Sequence, residues 1–513
     1  MSPSTLPTVP STVVVRLRNP GVELPSYSAF MSDHATRKPY LYVGANDGML
    51  HAIDAATGQE KFAYVPNLVF SKLSRQTATP YLHQYTVDGS PVVRDVFYGG
   101  GWHSLLVSGL RAGGKGLFAL DVTDPSGVTE TTASSVVRWE VANDDLGHVF
   151  AQPALVKTND EKWSVIVGNG YNSRTGRAQL LVIDAETGAV TKLLDTGVGD
   201  AASPNGLSGV APGDVDGDGK VDAVYAGDLN GNLWKFDLAG GSSTSWGVAL
   251  GGTPLFAAGL TQPITVRPDV GPHPKGGFVV TFATGRYLAP GDVASSDLQT
   301  AYGIWDKLGG TVTVTKTQLQ QQIIETGTTT TDSGEEFRFS THRVGVARDT
   351  SLGDDLPTTP PATFYADKRG WYFDLPTSGE RVVADPAIRG GRAIFTSIIP
   401  TVSTDCKPGG TSWVMEVDLL TGNRLDRATF NTNTDTVVDD KDFLKASSSA
   451  SGTTNTTGWR VDGLAPAPSF LTFNESAGKK EKKFLNPSGA IIQGKLERPD
   501  ESGERRVMWR VVQ

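Results

Sequence analysis

Apolar residues in this chain come in short runs, each closed by Gly, Asn, Asp or Pro. Helical periodicity is nearly absent, and the best helix candidate is Thr317–Ile324, barely two turns long. Short apolar runs punctuated by turn formers are the pattern of an all-β chain. One phrase recurs, an apolar strand ending in Asp and followed by a turn that often contains Thr-Gly. It ends on Asp54, Asp121, Asp184, Asp237, Asp306, Asp374 and Asp418, at a mean spacing of 61 residues. A second phrase runs out of phase with it, a Pro leading a Val-rich strand at Pro91, Pro153, Pro212, Pro268, Pro386 and Pro468. Pro is tolerated there because the start of a strand lies outside the hydrogen-bonded ladder.

One unit therefore reads as a Pro-led strand, a buried apolar strand, a strand ending in Asp, a turn and an outer strand. A single open sheet of so many strands would be too wide to persist. Radial repetition removes the exposed edges, so the pattern predicts an all-β fold, a seven-bladed β-propeller with inserted loops. An array of β-sandwiches would need a linker about every 100 residues, and none is found. The ring is expected to occupy 40–513, with Val507–Val512 closing the first blade and 1–39 serving as a Pro/Ser/Thr-rich lead-in. The long insertions fall near 325–362 and 431–458, and Lys479–Lys483 reads as a solvated hairpin tip.

Composition narrows the function. The 59 Gly and 30 Pro supply the many turns a repeated antiparallel module needs. A net charge of −9 is a poor basis for gripping phosphate backbones, so nucleic acid is not an expected partner. No apolar run is long enough for a transmembrane helix. The one cysteine, Cys406, excludes an internal disulfide framework and a thiolate zinc site. It reads as a free thiol or as the partner of a cysteine elsewhere. Residues 1–12 lack the basic and apolar segments of a signal peptide, so the chain is either cytosolic or a piece of something longer, and its linker-like Pro/Ser/Thr-rich start favours the piece.

The sharpest chemical signal is DVDGDGKVD at 214–222. Asp214, Asp216, Asp218 and Asp222 take positions 1, 3, 5 and 9 of a calcium loop. Gly219 is at position 6, and Lys220 at position 7 offers its backbone carbonyl. Hard oxygen ligands in that number suit Ca²⁺, and four carboxylates so close would repel without a cation. Position 12 is Tyr225 rather than Glu, and the flanks read as strands, so the loop is not an EF-hand but an insert between two strands. Asn431, Asn433, Asp435 and Asp439 share the spacing. There Thr436 occupies the glycine position, so a weak second calcium site is the most this stretch offers. Enzyme signatures are lacking: the seven His form no HExxH, and no GxSxG is present.

The AxDxxTG repeat resembles the blades of quinoprotein-like propellers. A closer resemblance runs collinearly from about residue 40 to the end. It is carried by YVGANDGMLHAID (42–54), DGSPVVRDV (88–96), GNGYNS (168–173), DVDGDGKVDAVYAGDLNGNLWKFDL (214–238), FATGRYL (282–288), GWYFDLPTSGERVV (370–383) and PGGTSWVMEVD (408–418). These phrases are similar to the C-terminal domain of the PilY family, type IV pilus biogenesis factors and tip-associated adhesins. The resemblance implies a modified seven-bladed propeller with quinoprotein-like blades, no enzymatic activity, and export to the cell surface, pilus tip, outer membrane or periplasm. It implies pilins, minor pilins and assembly components as partners, and a host or abiotic surface as a target. It also implies Ca²⁺ held by Asp214, Asp216, Asp218, the Lys220 carbonyl and Asp222, as a switch for pilus extension and retraction, twitching motility and attachment. No Arg-Gly-Asp occurs, so integrin binding is not expected. The alternatives are a periplasmic quinoprotein-type oxidoreductase and a scaffold whose calcium is purely structural.

Overall fold

Strands form where the apolar runs predict them. The computed structural model describes residues 24–310, 313–325, 329–331, 334–340, 368–401, 409–425, 428–433, 435, 438–445, 453, 455–475, 478–485 and 493–497. Tertiary contacts gather the chain into two compact units. One is built on the chain up to Leu229 together with Trp234–Pro254, the other on Asn230–Leu233 with the chain from Leu255 onward.

The first unit opens with a helix, α1 (Leu24–Asp33), inside the segment expected to be a lead-in. Tyr27 on α1 packs on Trp102 with ring centroids 4.4 Å apart, and its hydroxyl donates to Asp95. The first sheet holds β1 (Tyr40–Gly44), β2 (Leu50–Asp54) and β3 (Glu60–Tyr64). The second holds β4 (Val92–Tyr98), β5 (Gly101–Gly109), β6 (Leu117–Asp121) and β7 (Val137–Val141). The third holds β8 (Ala154–Lys157), β9 (Trp163–Gly168), β10 (Gln179–Asp184) and β11 (Val190–Asp195). The fourth runs through β12 (Leu207–Gly213), β13 (Ala223–Asp228), β14 (Asn232–Asp237) and β15 (Gly247–Val248). Each is an antiparallel meander in chain order. Inner strands such as β9 and β13 are buried along their whole length, whereas β11 is mostly exposed. That gradient explains why the inner strands read as unbroken apolar runs rather than as alternating ones.

The second unit begins with β16 (Phe256–Ala257). Next come β17 (Asp269–Pro272), β18 (Phe278–Ala283), β19 (Thr300–Asp306) and β20 (Gln320–Gln322). The chain goes on through β21 (Thr329–Thr330), β22 (Glu336–Arg338), β23 (Gly370–Asp374), β24 (Arg381–Val382), β25 (Ala387–Arg389) and β26 (Arg392–Thr401). It ends in β27 (Gly409–Asp418), β28 (Gly458–Asp462), β29 (Ser469–Glu475), β30 (Gly478–Leu485) and β31 (Gln493–Glu497). The four-stranded module loosens here. One sheet is β17-β18-β19-β23-β20 with a parallel β20–β23 pair, and the next is β21-β22-β28-β27-β26-β24.

Several expectations are corrected. Thr317–Ile324 is not a helix: Lys316–Gln318 is a 3-10 turn and Gln320–Gln322 is β20. Its glutamines pair with β23, and tertiary pairing overrides their helix propensity. Pro212 does not lead a strand but lies near the end of β12, opposite Val224. Lys479–Lys483 are not a hairpin tip: they run along β30, between β29 and β31. Part of the insertion at 325–362 is structured, since β21 and β22 form a short hairpin. The proposed closing strand Val507–Val512, the Pro-rich stretch at 351–361 and Cys406 lie outside the described residues. No helix among the described residues is long and apolar enough to cross a membrane.

The repeated aspartates have a local cause. Asp54 Oδ1 accepts from the amides of Ala56 and Thr57, and Asp184 Oδ1 from those of Glu186 and Thr187. Asp418 Oδ1 accepts from those of Leu420 and Thr421. A short carboxylate at the strand end closes the turn onto its own backbone. Asp374 is the exception, accepting instead from the Thr300 hydroxyl at 2.7 Å.

Candidate metal centre

The loop at 214–222 connects β12 to β13. Both strands are held in an antiparallel ladder in which Gly213 faces Ala223, so the ends of the loop are fixed. Within it, Gly217 and Gly219 have φ of +81° and +89°, a backbone region that glycine reaches without strain. The turns fold the carboxylates inward. Asp214 Oδ1 accepts from Gly217 N at 2.7 Å and Oδ2 from Gly219 N at 2.8 Å. Asp216 accepts from Asp218 N, and Asp218 from Lys220 N.

Asp214, Asp216 and Asp218 each bring a carboxylate oxygen within 4.8 Å of the other two. Among the described residues no other three His, Cys, Asp or Glu side chains form such a group. Three hard anionic oxygens that converge in a loop between paired strands are a donor set that would suit a calcium ion, and the loop spacing makes the Lys220 carbonyl, at the seventh position, a further candidate donor. Asp214 is buried, and burial, reinforced by the charges of Asp218 and Asp222, raises its pKa above the ordinary carboxylate value despite two amide hydrogen bonds. A carboxylate in that environment is one whose ionised form a cation would favour.

Asp222, the expected fourth carboxylate, stands apart from the group. Its Oδ2 accepts from Val215 N at 2.7 Å and its Oδ1 from Asn159 Nδ2 at 3.0 Å. It clasps the loop's start to its end.

No sequence signal marks the groups that reach in from the β8–β9 hairpin. Asn159 Nδ2 also lies within hydrogen-bond distance of the carbonyls of Val221 and Leu238. Glu161 lies 2.7 Å from Lys220 Nζ through Oε1 and 2.9 Å from Lys157 Nζ through Oε2. Lys220 Nζ also lies 3.1 Å from Asp218 Oδ2. Lys220, then Lys157, pulls the Glu161 pKa down, and Glu161, then Asp218, pushes the Lys220 pKa up. These residues are some sixty positions before the loop, so no spacing rule links them to it.

At 431–439 the described amides turn onto another carboxylate. Asp442, buried, accepts from Thr432 N at 2.7 Å and from Asp439 N at 3.0 Å. Asn431 Nδ2 donates to the Asp435 carbonyl, and Asn433 Oδ1 accepts from Asp435 N. Residues 434, 436 and 437 lie outside the described residues.

Comparison with known proteins places the chain in a family. The family model described as "PilY1 beta-propeller domain" matches residues 4–335. "Type IV pilus biogenesis factor PilY1" of Pseudomonas aeruginosa strain PAO1 is 38% identical over 473 residues, 83% of this chain and 39% of that protein. A "Type IV pilus biogenesis factor PilY1 homolog" of Xylella fastidiosa is 40% identical over 430 residues, 79% of this chain and 27% of that protein. The chain thus spans less than half the length of the curated relatives it matches. The crystal structure of the Pseudomonas aeruginosa PilY1 C-terminal domain matches with a TM-score of 0.72 at 34% identity, covering 92% of this chain and 96% of that one. With a family model over more than half its length and that structural match, the chain belongs to the PilY1 β-propeller family.

Proposed function

We propose that this chain is the calcium-binding propeller of a type IV pilus biogenesis factor, exported to the cell surface and acting in pilus extension and retraction, twitching motility and attachment. The observation that carries the reading is the convergence of the Asp214, Asp216 and Asp218 carboxylates in a loop anchored at both ends by β12 and β13. The pilus role is supported by the relatives, which are type IV pilus biogenesis factors by name. The reading is not enzymatic: the chain acts through surfaces offered to pilins and other assembly components.

The loop's own residues supply the switch. Without a bound cation the carboxylates repel, and the amides of Gly217, Asp218, Gly219 and Lys220, with the Lys220 ammonium beside Asp218, hold them inward. Bound calcium would supply two positive charges at that point and fix the turn. Asp222 and Asn159 then carry the loop's state to β13 and to the β8–β9 hairpin. A neighbouring surface whose shape depends on the loop exists fully in one state only.

Calorimetric titration should show one calcium site in the micromolar range typical of sensors. Asp216→Asn should abolish it, and Asp222→Ala should weaken it by loosening the clasp. In cells, the full-length factor carrying either change should lose calcium-dependent pilus assembly, read as sheared pilin with and without chelator. Unchanged calcium binding together with unchanged piliation in both variants would sink the reading.

A further inference from the structure

Lys220 presents two faces to this loop. By the loop spacing its carbonyl would be a donor at the seventh position, while its ammonium lies 3.1 Å from Asp218 Oδ2, one of the three converging carboxylates. An ammonium tethered to the loop is a built-in competitor for any free cation that needs Asp218. The same ammonium lies closer, at 2.7 Å, to Glu161.

Glu161 is held for this contact. It sits in the turn of the β8–β9 hairpin with φ of +66°, closed by its amide donating to the Thr158 carbonyl at 3.0 Å. The hairpin is tied to the loop through a bridge between Thr158 and Val221 and through Val221 N donating to the Lys157 carbonyl. Its second carboxylate oxygen is occupied by Lys157, whose side chain is only 7% exposed. Lys157 on one oxygen and Lys220 on the other place Glu161 between the two cations.

We propose that Glu161 tunes the calcium affinity of the loop by drawing the Lys220 ammonium off Asp218. The inference rests on the calcium reading of the loop and adds to it a regulatory pair. Lys220 weakens metal binding twice, by occupying Asp218 and by placing a like charge beside the ion. Glu161 opposes both effects, and it belongs to a different sheet from the loop. Whatever binds or displaces the 158–162 turn would therefore change calcium affinity from outside the loop.

The test is calcium titration of the whole chain by calorimetry at low salt. Lys220→Gln should tighten binding by about 2- to 5-fold, the scale of a partly exposed charge pair. Glu161→Gln should weaken it by a similar factor. In the Lys220→Gln background, Glu161→Gln should change affinity by less than about twofold, because the pair acts as a unit. Equal effects of Glu161→Gln in both backgrounds would mean bulk charge alone and overturn the proposal, as would an unchanged or weaker Lys220→Gln. If Glu161→Gln does not fold, Glu161→Asp takes its place: a carboxylate one methylene shorter should also weaken calcium binding, and an unchanged affinity would overturn the proposal. Failure of the unaltered chain to bind calcium would instead overturn the calcium reading itself.

Discussion

The indole of Trp139 lies on Gly188 so closely that a Cβ built there would come within 2.6 Å of its Cγ. Its Nε1 donates to the Ala185 carbonyl at 3.0 Å. Asp184, Ala185 and Gly188 belong to one turn, so the strand-ending Asp, the turn and the glycine form a seat for a tryptophan from another sheet. The second unit repeats the device. Trp371 Nε1 donates to the Leu419 carbonyl at 2.9 Å, and a Cβ on Gly422 would come within 2.3 Å of the ring.

Gly188→Ala should destabilise the fold by about 2–3 kcal/mol, because φ of +75° is strained for any L side chain and the indole leaves no room. Trp139→Phe should cost about 1 kcal/mol through the lost hydrogen bond, beyond the change in packing. Urea unfolding midpoints check both. A Gly188→Ala protein as stable as its parent would refute this account of the repeat.

Removing calcium should lower thermal stability. A ligand that binds only the folded state at 100 times its Kd adds about 2.7 kcal/mol. Adding chelator should therefore lower the Tm of the parent chain, while Asp214→Asn should start lower and show no further change. Differential scanning calorimetry with and without chelator reads the difference.

His273 gives the stability a pH dependence. Burial first, then the charges of Lys275 and Lys307, lower its pKa to about 4. Its ring stacks on Trp305 at 3.8 Å, and its Nδ1 accepts from Lys275 N, which requires the unprotonated ring. The unfolded chain, with an ordinary histidine near pKa 6.5, binds the proton more readily. Stability from this group is therefore present above about pH 6.5 and lost as pH falls toward 4. Denaturation curves across that window should be shallower for His273→Asn. An equal slope would show that other groups govern it.

Arg338 and Glu380 form a buried pair, 4% and 0% exposed, with Nη1 at 2.8 and 3.0 Å from the two carboxylate oxygens. The guanidinium also lies over the Trp413 ring at 3.8 Å, and Ser397 donates to Glu380. Glu380→Gln should cost about 3–5 kcal/mol by leaving a buried cation uncompensated. The double change Arg338→Met with Glu380→Leu should recover most of that loss. Chemical denaturation of the parent and these two variants tests the prediction, and a double variant no more stable than Glu380→Gln would refute it.

Much of the fold is legible because its elements are local. The apolar runs mark the strands, and Asp54, Asp184 and Asp418 mark turns that close on their own amides. The failures are places where partners are remote. Gln320–Gln322 has helix-forming residues and becomes a strand because β23 offers a parallel edge. Pro212 reads as a strand leader, yet it sits opposite Val224 because β13 sets the register.

By itself, the sequence determined an all-β repeat and one loop in which aspartates alternate with glycines, since strand pattern and turn chemistry are written within a few residues of each other. The tertiary structure alone decided what each side chain does there. It gathered Asp214, Asp216 and Asp218, and turned Asp222 toward Val215 and Asn159. It also brought Glu161 to Lys220 from a hairpin in another sheet. Long-range charge pairs leave no spacing in a sequence, because their geometry is set by how the sheets pack rather than by the chain between them.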